Sequence, residues 1–101
     1  MNNTYTWDEN SVTPTLDMII EEAAAEDYDV HVNRTKGGEL FLHYTANNHR
    51  GIYPVVLRES REPGKVICTE YCKGKKREVL RSFGYVMFSL SKSCPKIIDN
   101  D

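Results

Sequence analysis

Three cysteines and three histidines are the side chains here best suited to metal or nucleophile chemistry. If Cys68 and Cys72 share one strand they lie roughly 13 Å apart, at ~3.3 Å per residue. Two thiolates on one zinc must each sit about 2.3 Å from the metal, so this spacing works only across a tight turn. Cys94 and His43 would have to complete such a set, and nothing in the spacing brings them there. An odd number of cysteines leaves no complete disulfide framework, which points to free thiols in a reducing, cytoplasmic setting. His31 and His43 fall in alternating stretches and His49 in a turn. A Cys–His nucleophile pair meets in space rather than in sequence, but no nucleophile elbow, phosphate loop or metal motif accompanies these residues. The expectation is a protein that is not an enzyme and holds neither metal nor cofactor.

The basic side chains carry a stronger signal. Lys73, Lys75, Lys76 and Arg77 bracket a turn, and Arg81 follows along the same stretch. On a pleated strand Arg77, Val79, Arg81 and Phe83 share one face, and Glu78, Leu80 and Ser82 the other. The first face alternates guanidinium groups with apolar and aromatic side chains, a combination that suits phosphates and unstacked bases. Tyr53, Tyr71 and Tyr85 are further aromatics close by in sequence. The plain alternative is a solvated turn whose lysines keep an edge strand from self-pairing.

The elements that would position these residues follow from periodicity. Residues 1–12 are polar around a lone Trp7 and read as an extended arm. Thr13 and Pro14 form a helix start, with a capping hydroxyl followed by a proline whose missing N–H costs nothing there. Leu16, Ile19, Ile20, Ala23 and Ala24 then recur on one helical face, with Asp17, Glu21, Glu22 and Glu26 around the rest. From Tyr28 the period changes to 2. Val30 and Val32, a turn at 36–38, and Leu40, Leu42 and Tyr44 predict a hairpin. A turn at 47–49 leads into a strand over 52–57, which Pro54 should interrupt, bulge or confine to an edge. Strands over 66–72 and 77–83 follow, Gly84 breaks the last of them, and 85–90 is a final apolar segment. The expected fold class is α+β: one N-terminal amphipathic helix against a small, strongly bent five-stranded antiparallel sheet or barrel. A single domain over 13–93 is expected, with a polar tail over 94–101.

Charge divides the chain in two. The first thirty residues carry eight acidic side chains and no lysine or arginine. Residues 31–97 carry 13 basic against five acidic side chains, an excess of eight hidden beneath the overall net charge of −2. Such asymmetry speaks of partners rather than of fold. No run approaches the roughly 20 apolar residues of a membrane span, and the first residues lack the pattern of a secretion signal. No membrane partner is therefore expected.

From about Leu16 to Lys92 the chain resembles a WYL domain, a small barrel related to the Sm and SH3 folds. The resemblance rests on a helix running into a first strand (19–32), on Arg50, Gly51, Ile52, Tyr53 and Pro54, and on the hairpin 66–72 with its basic turn. Arg81, Ser82 and Phe83 complete it. Val66, Ile67 and Cys68 stand where the name-giving tripeptide belongs, and no helix-turn-helix precedes them. The resemblance implies a Sm/SH3-like barrel that binds single-stranded DNA or RNA, or another charged ligand, with Arg50, Tyr53, Arg81 and Phe83 at the site. The leading expectation is thus a non-enzymatic regulatory module whose contacts are Arg50, Tyr53, Tyr71, Lys73, Lys75, Lys76, Arg77, Arg81 and Phe83. The rival is a small phage- or mobile-element-encoded inhibitor, of anti-CRISPR or anti-restriction type, that docks on a host protein complex through Asp17, Glu21, Glu22 and Glu26. A homodimer pairing the acidic helix with the basic face is a third possibility.

Overall fold

A computed structural model describes Thr15–Ser93. The readings made above for 1–12, for Thr13 and Pro14, for Cys94 and for the tail lie outside the described residues. The order of elements is α1 (Thr15–Ala25), β1 (His31–Arg34), β2 (Leu40–Asn48), β3 (Gly51–Glu59), β4 (Lys65–Cys72), β5 (Lys75–Ser82) and α2 (Phe83–Ser93).

Helix α1 forms where the apolar period lies, and it buries Leu16, Ile19 and Ala23. Its start is held from a distance. The Glu59 carboxylate at the end of β3 accepts the backbone N–H groups of Leu16 at 2.8 Å and Thr15 at 3.2 Å. A carboxylate there satisfies orphan donors and meets the positive end of the helix dipole. The helix ends in a Schellman arrangement. Asp27 takes φ 60°, its N–H bonds Ala24 O, and the Tyr28 N–H bonds Ala23 O.

The five strands form one antiparallel sheet in the order β1-β2-β3-β4-β5, each paired only with its chain neighbours. The sheet is not closed, and β1 and β5 are its two edges. The expected barrel is thus replaced by an open meander. Although β3 is the central strand, Pro54 meets the expectation of a local edge. Pro54 faces Thr45 on β2, while the pairing with β4 begins only at Val55 with Glu70. The proline therefore sits where one of its strand's two ladders has run out, which is where a residue without an N–H is tolerated. The β4–β5 hairpin turns on Lys73 and Gly74, both with positive φ, as a two-residue turn matching the sheet twist requires.

The last apolar segment is a helix. Gly84 does not end β5 in a loop, for the chain passes straight from Ser82 into α2. The Ser82 hydroxyl accepts the Tyr85 N–H at 3.1 Å and caps the helix. Phe83, Val86, Met87 and Leu90 then recur at helical spacing and turn toward the core.

Both helices lie on the same side of the sheet. The core consists of Leu16, Ile19 and Ala23 from α1, Val86 and Leu90 from α2, and the alternate residues Leu42, Tyr44, Ala46, Tyr53, Val55, Leu57, Val66 and Cys68 from the sheet. This inner face is the one that Arg77, Val79 and Arg81 share, since they stand opposite Glu70, Cys68 and Val66. No helix covers the outer face among the described residues. It carries Phe41, His43, Val56, Ile67, Tyr71 and Leu80, and a surface ion pair joins Arg58 to Glu78 at 3.1 Å. No described helix is long and apolar enough to cross a membrane.

Candidate nucleic-acid interface

At the β4–β5 edge of the inner face the core gives way to charge. Glu70 continues the inward alternation of β4 and is only 4% exposed. A buried carboxylate needs partners, and β5 supplies them from the opposite strand. Arg77 Nη2 donates to Oε1 at 2.9 Å and Arg81 Nη2 to Oε2 at 3.2 Å. Burial alone would raise the Glu70 carboxyl. The hydrogen bonds from Arg77 and Arg81, with their charges, outweigh it and hold the carboxyl below its ordinary value. Cys68, two residues back on the same face, points its thiol at Glu70 Oε2 at 3.6 Å. Burial first, and then the Glu70 charge, push that thiol up to about 12. At neutral pH it stays protonated and is a poor nucleophile or ligand.

Arg81 also faces the helix that follows it. Its guanidinium carbon lies 4.3 Å from the centre of the Tyr85 ring, and its buried Nε has no hydrogen-bond partner among the described residues. The negative face of the ring is the compensation available to it.

Beyond Tyr85, the turn between β2 and β3 and the outer side of α2 enclose a cleft of about 400 Å³. Its walls are Asn47, Asn48, His49 and Arg50 on one side and Tyr85, Phe88, Ser89, Lys92 and Ser93 on the other. Phe88 is 61% exposed, and the Lys92 ammonium lies 5.4 Å from its ring centre. Tyr85, Phe88 and Lys92 follow at i, i+3 and i+7, so one helix face presents two rings and a cation. Among the described residues no carboxylate lines this cleft. One hydrogen bond joins the two walls, and two more brace the turn internally. The Asn47 N–H donates to Ser93 Oγ at 3.0 Å. The Asn48 side chain accepts the Arg50 N–H at 2.8 Å and donates to the Tyr53 hydroxyl at 3.0 Å.

The residues expected at a site are therefore distributed over several places. Arg50 lines the cleft. Tyr53 is a core residue, and only its hydroxyl reaches the turn, so its ring offers no stacking surface. Phe83 opens α2 and packs against the core. Arg77 and Arg81 lie on the inner face, half matched by Glu70. Lys75 shares that face, whereas Lys76 and Tyr71 point to the outer one, where they stand opposite each other. Lys73 sits exposed in the turn. On α1, Asp17, Glu21 and Glu22 are exposed and Glu26 is half-buried just past its end.

Sequence reasoning missed Phe88 and Lys92 because it left 85–90 without a conformation. The signal was present: the 83, 86, 87, 90 spacing is helical, and it turns Tyr85, Phe88 and Lys92 away from the core. Among the described residues no three His, Cys, Asp or Glu side chains gather as a metal site. Compared with known proteins, the chain matches no family model, no curated protein and no solved structure.

Proposed function

We propose that this protein is a non-enzymatic, cytoplasmic binding module for single-stranded nucleic acid, and that the cleft between the β2–β3 turn and α2 is its centre. The observation that carries this reading is the exposed Phe88 ring beside Lys92 and Arg50 in a cleft whose described walls hold no carboxylate. Exposed aromatic rings stack on bases whatever their identity, and neighbouring cations track the phosphates. Lys73 and Lys75 on the β4–β5 hairpin add a longer-range attraction for the same polyanion. Arg77 and Arg81 contribute less than their number suggests, since Glu70 takes up one of their two charges. Kinship with WYL domains belongs to this proposal. Its support is a helix leading into an antiparallel meander, together with Arg50 and Arg81 near the cleft.

Fluorescence anisotropy with labelled oligonucleotides over a salt series tests the reading. Affinity should fall steadily with salt, as counterion release demands. Phe88→Ala should weaken binding about tenfold, within the range measured for loss of one stacking ring. No detectable binding at low salt, or binding indifferent to salt, would sink it.

A second reading draws on the opposite charge. Asp17, Glu21 and Glu22 form an exposed acidic side on α1, suited to a basic groove on a host protein complex. Charge reversal at these three positions, set against reversal at Arg50 and Lys92 in a pull-down, separates the two. If only the second set abolishes function, the docking idea built on α1 fails.

A further inference from the structure

The outer face of the sheet is the largest surface that the cleft does not use. We propose that it is a homodimer interface, in which a second copy of this chain packs sheet on sheet across a two-fold axis lying parallel to the sheets and perpendicular to the strands.

Three observations favour a second copy as the occupant. Phe41, Val56, Ile67 and Leu80 stand on four adjacent strands as an apolar diagonal around the Arg58–Glu78 pair, with Leu80 47% exposed. The face is also self-complementary. One end is raised by Ile52, 72% exposed, and Tyr71. The other end is hollowed into a cavity of about 740 Å³ between the 60–63 loop and Arg58, Ile67, Glu78 and Leu80. Ile52 and Arg58 lie six residues apart on β3, roughly 20 Å. The proposed axis inverts the strand direction, so the raised end of each copy meets the hollow end of the other. The same operation brings Lys76, beside Tyr71, toward the Glu62 and Glu78 carboxylates across the interface.

The area is sufficient. Four strands of eight or nine residues and the four-residue β1, about 4.8 Å apart, make a face of roughly 600 Å². Two such faces remove roughly 1,200 Å² from water before side-chain relief is counted, at the lower end of the range of about 1,200–2,000 Å² that stable interfaces bury. The Arg58–Glu78 pair is already neutralised within each copy, so the centre of the interface carries no net charge. In the resulting dimer both clefts point outward, away from the shared surface.

Sedimentation equilibrium on the full chain, from micromolar to millimolar concentration, tests the proposal. The wild type should be a dimer that persists at roughly 1 M salt, where exposed charge pairs are screened. Leu80→Asp, at an exposed edge position, should weaken association at least tenfold, and so should Tyr71→Ala, while circular dichroism stays unchanged. A wild type that remains monomeric throughout would overturn the proposal, leaving the face to solvent or to another protein. A dimer that dissolves in high salt, or that both substitutions leave intact, would overturn it too, the former pointing to the acidic helix and basic face instead. Oligonucleotide binding is read separately on the Leu80→Asp chain, so failure of the cleft and failure of the interface are distinguishable.

Discussion

Glu70 is the residue on which the charged edge of the inner face turns. Its folded carboxyl titrates below the ordinary glutamate value of about 4.3. The stability it contributes is therefore complete above that value and is lost as pH falls through the lower, folded one. Glu70→Gln should flatten the acid limb of a stability-versus-pH curve relative to wild type. It should also cost about 2–3 kcal/mol at neutral pH, toward the lower end for a broken buried pair because Arg77 is half exposed and re-solvates. Chemical denaturation at several pH values checks both. Cys68 carries the opposite shift, and its protonated, buried thiol should alkylate far more slowly than the half-buried Cys72. Peptide mapping after a timed iodoacetamide pulse reads the order directly. The sequence made the shared face of Arg77 and Arg81 legible through strand parity. It did not show that the face turns inward, because that depends on Glu70 standing opposite on a different strand.

At the scale of elements, α1 depends on a residue 43 positions away. Glu59→Ala removes the acceptor for two N–H groups at the helix start, and a loss of about 1 kcal/mol is expected. Amide exchange should rise first at Thr15 and Leu16. Helix α1 and the strand sequence were readable from their 3.6 and 2 periods. The open sheet was not, since closure depends on whether β1 and β5 meet, and no local pattern encodes that distance. The sequence also allowed α2 to be overlooked: Gly84 suggested a break, whereas Ser82 was in fact the cap that starts a helix. The centre of the candidate site lies on that helix, so an error about one element displaced the site from the hairpin to the cleft.

On the scale of the whole molecule, the division between acidic and basic parts acquires a geometry. Asp17, Glu21 and Glu22 are exposed on α1, and Arg50 and Lys92 line the cleft beside α2. On the proposed function, a polyanion would be drawn to the cleft and repelled by α1. With the outer faces joined in a dimer, two clefts would stand on one particle, and a long strand reaching both would bind more tightly than a short one at equal nucleotide concentration. Comparing long and short oligonucleotides on wild type and on Leu80→Asp should show that advantage only in the former.

The hydrogen bonds that tie Asn47 to Ser93, and Asn48 to both Arg50 and Tyr53, bear on how the cleft meets whatever enters it. They make the site preorganised. The turn and the helix already hold their mutual distance, so little of the interaction free energy is spent on arranging the protein. Most of the ordering falls on the incoming chain. On the proposed function, Asn48→Ala, which removes no ring or cation but loosens the turn that carries Arg50, should weaken oligonucleotide binding in the same anisotropy assay.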